Sequence, residues 1–437
     1  MLALVACAGD EPGASSETSS SESSSTSETG DGDGDSAGDG DGDGEPTGDG
    51  DGDGEPTGDG DGEPSGDGDG EPSGDGDGDP SGDGDGDPTG DGDGDPTGDG
   101  DGDPGPPPDP LPEAAPGEWI YVEIDGMFCR DGSPAGVGIR YAENSDLLTL
   151  FFEGGGACFN SFTCLANPSS VDQGSFDPGP YGGLFDNQNP DNPFIDHNFV
   201  YFPYCTGDAF FGSNPSGDVP GGPQDQMFVG YDNMLIALER IVDTFPDPAN
   251  VVATGVSGGG FGAAANYHTI STFFPNNDVV LIDDSGPIFR DEYLEPCLQQ
   301  QWRDIWGIDD SLPDDCPDCF GPEGGGLHFF YDYIEANYPN APKGLISSHA
   351  DNIISVFFGY GANNCNAFFP SFPQFQEALY DLRDSKMQGP SYGTFYKTGN
   401  THTYLAGDEF YNLEVSNTLL VDWVTDMIAG DTAHIAP

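Results

Sequence analysis

The sequence predicts an α/β fold over residues 113–437, a mostly parallel central sheet with helices on both faces, preceded by a disordered tether. Three observations carry this reading. Apolar, β-branched runs alternate with helical patterns. One such run turns sharply into a helix at a Gly-x-Ser-x-Gly sequence. Every Phe, Tyr and Trp lies after position 112, so only that part of the chain can build a core.

The chain opens Met-Leu-Ala-Leu-Val-Ala-Cys, and Leu4 to Cys7 resemble the lipobox of a bacterial lipoprotein, in which a small residue precedes the acylated cysteine. The apolar stretch is shorter than a signal peptide requires, so it reads as a truncated signal, with Cys7 as the lipid attachment point. The expectation for residues 1–7 is therefore a truncated signal and lipobox, and for the protein a place on the cell surface as an outer-membrane lipoprotein.

Residues 8–112 are nearly all Gly, Asp, Glu, Pro, Ser and Thr, carrying 35 of the 80 acidic residues and none of the 9 Lys and Arg. Without apolar groups to bury or cations to relieve repulsion, such a segment cannot offset the entropy of folding. Its Gly-Asp-Gly-Asp-Gly-Glu-Pro-Thr units have no apolar position to stack, which excludes a solenoid. A flexible tether remains, spanning about 55 Å as a Gly-rich coil. Alternating Asp resembles part of a calcium loop, but no unit carries the bidentate Glu between helices, so weak multi-site calcium binding at most is expected.

Residues 113–437 hold 45 acidic against 9 basic residues, a formal charge of −36. That argues against nucleic acid or an anionic membrane as partner, since both need a basic face, and confines membrane contact to the lipid anchor. Polyanionic substrates would be repelled as well. Eight cysteines in this part, Cys129, Cys158, Cys164, Cys205, Cys297, Cys316, Cys319 and Cys365, suit an exported protein with up to four disulfides. Their pairing cannot be read from sequence. Cys316-Pro-Asp-Cys319 has the spacing of zinc and redox sites, but with no second such pair a structural disulfide is expected and no metal.

Leu147–Phe152 is an apolar strand running into Glu153-Gly-Gly-Gly-Ala-Cys-Phe159. Glycines let backbone amides approach a ligand closely; a phosphate cradle is disfavoured because no Lys follows. A helix is expected over Met227–Phe245, then a strand over Ala249–Val256 and a helical pattern from Gly258 to Phe274. Between strand and helix stands Gly255-Val-Ser-Gly-Gly259, whose tight turn needs glycine two places either side of Ser257 while the hydroxyl projects above the sheet. This makes Ser257 the candidate nucleophile of an α/β-hydrolase fold, and the amides of Gly155, Gly156 and Gly258 the candidate oxyanion donors.

A serine hydroxyl needs a base and a carboxylate to orient that base, in the chain order Ser, acid, His. Two places compete for the acid: Asp283-Asp284 after Val279–Ile282, and Asp351 after Gly344-Leu-Ile-Ser-Ser-His-Ala. Position after the second strand beyond the nucleophile favours Asp351 and leaves Asp284 a structural loop carboxylate. For the base, His402 follows the strand-like Ser391–Tyr396 in a polar loop. His197 and His268 stand before or immediately after the serine, His328 and His349 read as surface or core residues, and His434 as a frayed end.

Four blocks together resemble the pectin acetylesterase and Notum family of α/β-hydrolases: Glu153-Gly-Gly-Gly-Ala-Cys-Phe159, Tyr204-Cys-Thr-Gly-Asp-Ala-Phe-Phe-Gly212, Gly255-Val-Ser-Gly-Gly-Gly-Phe-Gly262 and Asp284-Ser-Gly-Pro-Ile-Phe289. The resemblance implies Ser257, Asp351 and His402 as a triad with Gly155, Gly156 and Gly258 as oxyanion hole, and no cofactor. It also implies deacetylation of pectin in plant members and removal of a fatty acyl group from a signalling protein by Notum. Where the family carries a tryptophan, this chain reads Gly156-Ala157, which points to a wider or differently lidded acyl pocket. The expected activity is hydrolysis of a carboxylic ester, foremost O-deacetylation of an acylated glycan outside the cell, with small esters as further substrates. A lipase-like or polyester-cleaving esterase is the alternative within enzymes. An inactive adhesion or calcium-binding surface module is the alternative outside them.

Overall fold

The computed structural model describes residues 109–176 and 182–437. Cys7, the repeats and the calcium-loop resemblance lie outside those residues. Residues 109–112, which composition places in the tether, are part of the folded body: Leu111 is buried and its amide donates to Thr244 Oγ1 at 2.8 Å. A single leucine in a Pro-rich, acidic stretch gives too weak a pattern to mark that boundary.

The strands are β1 (Trp119–Phe128), β2 (Pro134–Arg140), β3 (Leu147–Phe152), β4 (Asn198–Phe202), β5 (Asn214–Gly217), β6 (Gln226–Phe228), β7 (Asn250–Val256), β8 (Val280–Asp284), β9 (Lys343–Ser348), β10 (Tyr392–Lys397), β11 (Glu414–Val415), β12 (Thr418–Leu419) and β13 (His434–Ile435). Nine of them form the main sheet in the order β1-β2-β4-β3-β7-β8-β9-β10-β13. From β4 onward every neighbour is parallel, while β2 runs antiparallel to β1 and β4. Hydrophobic Leu-Leu-Thr-Leu-Phe-Phe in β3 is what a strand covered on both faces requires. Alternate residues supply opposite cores: Leu148, Leu150 and Phe152 face one cluster and Phe151 the other.

The helices are α1 (Ser161–Leu165), α2 (Gly230–Thr244), α3 (Gly258–Ala265), α4 (Tyr267–Phe273), α5 (Pro296–Trp306), α6 (Phe329–Asn337), α7 (Ile354–Phe358), α8 (Ala362–Cys365), α9 (Phe372–Ser385), α10 (Glu409–Asn412) and α11 (Leu420–Ala429). The first core takes Met234 and Leu238 of α2, Trp302 of α5 and Leu382 of α9; the second takes Trp423 and Met427 of α11. Two expectations shift. The helix expected from Met227 starts at Gly230, because Gln226–Phe228 pairs with β5. The helical run after Ser257 breaks at Asn266, whose side-chain amide donates to the carbonyls of Phe210 and Gly262.

His434 is not frayed. It pairs in β13 beside β10, and its Nδ1 lies 3.1 Å from Thr394 Oγ1. All eight cysteines are bonded, as Cys129–Cys205, Cys158–Cys164, Cys297–Cys365 and Cys316–Cys319. Cys316 and Cys319 are thus not available as zinc ligands.

Candidate active site

Ser257 occupies the turn between β7 and α3 with φ 58° and ψ −123°, a conformation that costs a non-glycine residue on the order of 1–3 kcal/mol. Neighbouring backbone holds it there: its amide donates to Asp284 O at 2.8 Å and its carbonyl accepts Phe261 N at 3.2 Å. The flanking glycines answer to crowding. A Cβ on Gly255 would come within 2.2 Å of Gly259 O, and one on Gly259 within 2.0 Å of Phe152 O.

Asp351 and His402 follow the next parallel strands but one and but two, β9 and β10. Asp351, fully buried after β9, accepts the amides of Ile353 and Ile354 at 2.9 Å on one oxygen and His402 Nδ1 at 2.7 Å on the other. An ionised carboxylate only accepts, so Nδ1 carries the ring proton and Nε2 presents a lone pair. That Nε2 is buried and has no hydrogen-bond partner among the described residues. Backbone bonds from His349 to Lys397 and from Ala350 to Gly399 tie the two loops together.

Asp284 fixes the approach of the histidine loop. Its Oδ2 accepts the amides of Tyr404 and Leu405 at 2.6 and 2.8 Å, and its Oδ1 accepts Ser285 Oγ at 3.0 Å. Since Asp284 O also holds Ser257 N, the nucleophile turn and the histidine loop hang from one residue. Burial pushes the Asp284 carboxyl up to about 6, and pushes neighbouring Asp283 well above the carboxylate range. Asp283 Oδ1 accepts Gly286 N at 2.7 Å, and its Oδ2 has no partner among the described residues.

The glycine loop after β3 lies against Ser257: a Cβ on Gly154 would sit 3.0 Å from Ser257 Cβ. Its carbonyls are braced from outside, Gly155 O by Asn167 Nδ2 at 2.8 Å and Gly156 O by the Tyr204 hydroxyl at 2.9 Å. In a trans peptide the N–H points away from the carbonyl, so these braces turn the amides of Gly156 and Ala157 the other way. The amides of Gly155, Gly156 and Ala157 have no protein acceptor among the described residues, and Gly258 N opens α3 with none in its own helix. Tyr204 also accepts Ala209 N at 2.7 Å, and its own amide donates to Glu153 Oε2 at 2.8 Å.

A cavity of about 50 Å³ opens beside Ser257, lined by Phe211, Phe261, Trp302, Trp306, Phe357 and Phe358 with small residues at its base. The Phe357 ring stands over Gly156, with Cζ 3.3 Å from where a Cβ on that glycine would lie. A larger open cleft of about 490 Å³, between His349, Tyr380 and Pro437, lies behind the acid loop and includes neither Ser257 nor His402.

The remaining histidines are engaged elsewhere. His197 contacts Thr149 Oγ1 at 2.8 Å and burial lowers it to about 4. His268 meets Tyr338, His349 meets Tyr380, and His328 stands 3.3 Å from Asp291. Tyr204, Phe357, Phe358 and the tryptophans of α5 were not singled out from sequence. Only Tyr204, inside one of the four blocks, had any local signal.

Sheet order, serine elbow and a histidine loop after β10 define a protein of the α/β-hydrolase fold. A family model described as pectinacetylesterase matches residues 120–356, more than half of the chain, and the chain belongs to that family. Among curated relatives, zebrafish (Danio rerio) palmitoleoyl-protein carboxylesterase notum1a is 29% identical over 181 residues, covering 38% of this chain and 35% of that protein. The mouse (Mus musculus) palmitoleoyl-protein carboxylesterase NOTUM is 28% identical over 172 residues, covering 37% and 33%. The zebrafish inactive palmitoleoyl-protein carboxylesterase notum1b is 34% identical over 101 residues, covering 22% and 73%. The chain thus spans about a third of the length of the first two. The Wnt deacylase Notum from Drosophila shares the fold, with a TM-score of 0.54 and 21% identity over 70% of this chain and 92% of that one.

Proposed function

We propose that this protein is an extracellular serine carboxylic-ester hydrolase that removes a short acyl group, acetyl foremost, from a glycan. The observation that carries the reading is the His402–Asp351 pair with its unpartnered Nε2, in a chain whose Ser257 turn abuts a loop of unpaired amides. Ser257 Oγ attacks the ester carbonyl as His402 Nε2 takes its proton, while Asp351 stays ionised and holds the ring. Charge gathering on the carbonyl oxygen is met by the amides of Gly155, Gly156 and Gly258. As the intermediate collapses, His402 returns the proton to the leaving sugar oxygen. Water then releases the acid by the same route. Family membership supports ester chemistry, and a cavity of about 50 Å³ suits an acyl group of a few heavy atoms.

A lipase-like esterase is the second reading, favoured by the six aromatic rings lining that cavity. Four disulfides support an exported protein, and acylation of Cys7 would hold it at the cell surface. The test is Ser257→Ala together with a fluorophosphonate label. Turnover of p-nitrophenyl acetate is expected to fall by roughly three orders of magnitude or more, with labelling confined to Ser257. Retained turnover in a folded variant removes the assignment. Activity on acetylated polysaccharides against palmitoyl esters then separates the two substrate readings.

A further inference from the structure

A second cavity, of about 60 Å³, lies next to the one beside Ser257 and is lined by Phe289, Phe375 and Ala378 together with the polar Glu295, Ser371 and Gln374. The two share one lining residue, Phe358. Its ring stands between them: the centroids of Phe261 and Trp302, on the first cavity, are 6.2 and 6.4 Å away, and those of Phe289 and Phe375, on the second, 5.4 and 6.5 Å. Phe358 is the last residue of a five-residue helix, only partly buried, with Gly359 next in the chain.

We propose that Phe358 sets the acyl length this site accepts, its ring closing the pocket beside Ser257 and separating it from a second, preformed cavity of mixed polarity that a longer chain would enter along Phe289 and Phe375. The inference rests on Ser257 being the nucleophile. An acyl carbon chain leaving the carbonyl runs along the rings of Trp302 and Phe261 and meets Phe358 after a few atoms. Removing that ring joins two cavities of comparable size into one channel ending at Phe375 and Ala378. Each further methylene that packs against Phe289 or Phe375 instead of meeting a clash is worth about tenfold or more in kcat/KM.

The experiment measures kcat/KM of the full chain on p-nitrophenyl acetate, butyrate, octanoate and palmitate, for the parent and for Phe358→Ala and Phe358→Leu, with Ser257→Ala as reference. The parent is expected to favour acetate and butyrate. The octanoate-to-acetate ratio should rise at least tenfold in Phe358→Ala and by an intermediate factor in Phe358→Leu. Using the ratio removes any general loss from repacking, and Phe358→Leu keeps the test open if the alanine variant fails to fold. A ratio unchanged in a Ser257-dependent enzyme overturns the role of Phe358 and leaves the ester hydrolase standing. So does a parent that already prefers octanoate. Hydrolysis that survives Ser257→Ala overturns the underlying reading instead.

Discussion

Asp284 and Asp351 end neighbouring parallel strands, yet their surroundings assign them different work. Asp351 accepts two helix amides on one oxygen and keeps the other for His402; Asp284 spends its acceptors on the backbone of the histidine loop and on Ser285. In Asp351→Asn an N–H can face Nδ1 and favour the wrong tautomer, so kcat is expected to fall by about 10²–10⁴. Asp284→Asn keeps an oxygen for the two amides and should cost less in kcat and more in melting temperature. A reversed ranking in kcat would mean the acid sits at the end of β8. Asp283 gives a pH prediction. A buried carboxyl with a raised pKa holds a proton that the unfolded chain releases near pH 4, so its contribution to stability is full below that pH and is lost as pH rises. Asp283→Asn should therefore flatten the decline of melting temperature between pH 5 and 8 relative to the parent. Equal slopes in parallel thermal scans would show that Asp283 ionises in the folded state as easily as in the unfolded one.

At the level of elements, what could be read from sequence was whatever a local pattern dictates. The strands β3, β7, β8, β9 and β10 are apolar runs buried on both faces, and each lies within about two residues of its expected place. Ser257 was legible because glycine crowding at 255 and 259 is a local event. Asp351 and His402 followed from chain order. The acyl pocket was not legible: its walls come from the glycine loop, the loop after β4, α3, α5 and α7, and nothing local in Trp302 or Phe358 says that they share a cavity with Ser257. The break at Asn266 is set by Phe210, 56 residues earlier. The Tyr204 brace has the same long-range character. Tyr204→Phe preserves the ring and removes the donor to Gly156 O and the acceptor for Ala209 N. About a tenfold fall in kcat with little change in KM is expected, because a freed Gly156–Ala157 peptide no longer holds the adjoining Gly156 amide in place for the charged transition state. A change in KM alone would make Tyr204 a packing residue.

Residues 113–437 carry a formal charge of −36 with only 9 cations, and that bears on substrate choice more than on stability. Surface repulsion weakens as the Debye length falls from about 10 Å at 0.1 M salt to about 3 Å at 1 M. Neutral acetylated glycans should be preferred at low ionic strength, and cleavage of acetylated pectin should rise with sodium chloride while p-nitrophenyl acetate responds little. Inhibition of pectin cleavage by salt would point to a local basic groove within the acidic field. The extent of the body can be tested by truncation. Arg240 grips the carbonyls of Asp109 and Pro110, and Leu111 is 4% exposed. A chain beginning at residue 109 should melt with the parent, whereas one beginning at 113 forfeits about 1.5–3 kcal/mol of leucine burial and should melt lower. Equal melting of the two would assign Leu111 no energetic role.

Because Asp284 suspends both Ser257 and the histidine loop, the proposed mechanism ties the onset of reactivity to the order in which the polypeptide is synthesised. A nascent chain that has reached residue 340 already contains the elbow and both of its flanking strands, but neither Asp351 nor His402. At that stage the Asp284 carboxylate has no Tyr404 or Leu405 amide to satisfy it and is best left solvated, which loosens the edge of the growing sheet. Docking of the last 40 residues supplies those amides and delivers His402 in the same step. Under the proposed mechanism assembly therefore couples burial of a costly charge to the arming of Ser257, and a translation product cut short before residue 402 is expected to be inert however much of its sheet has formed.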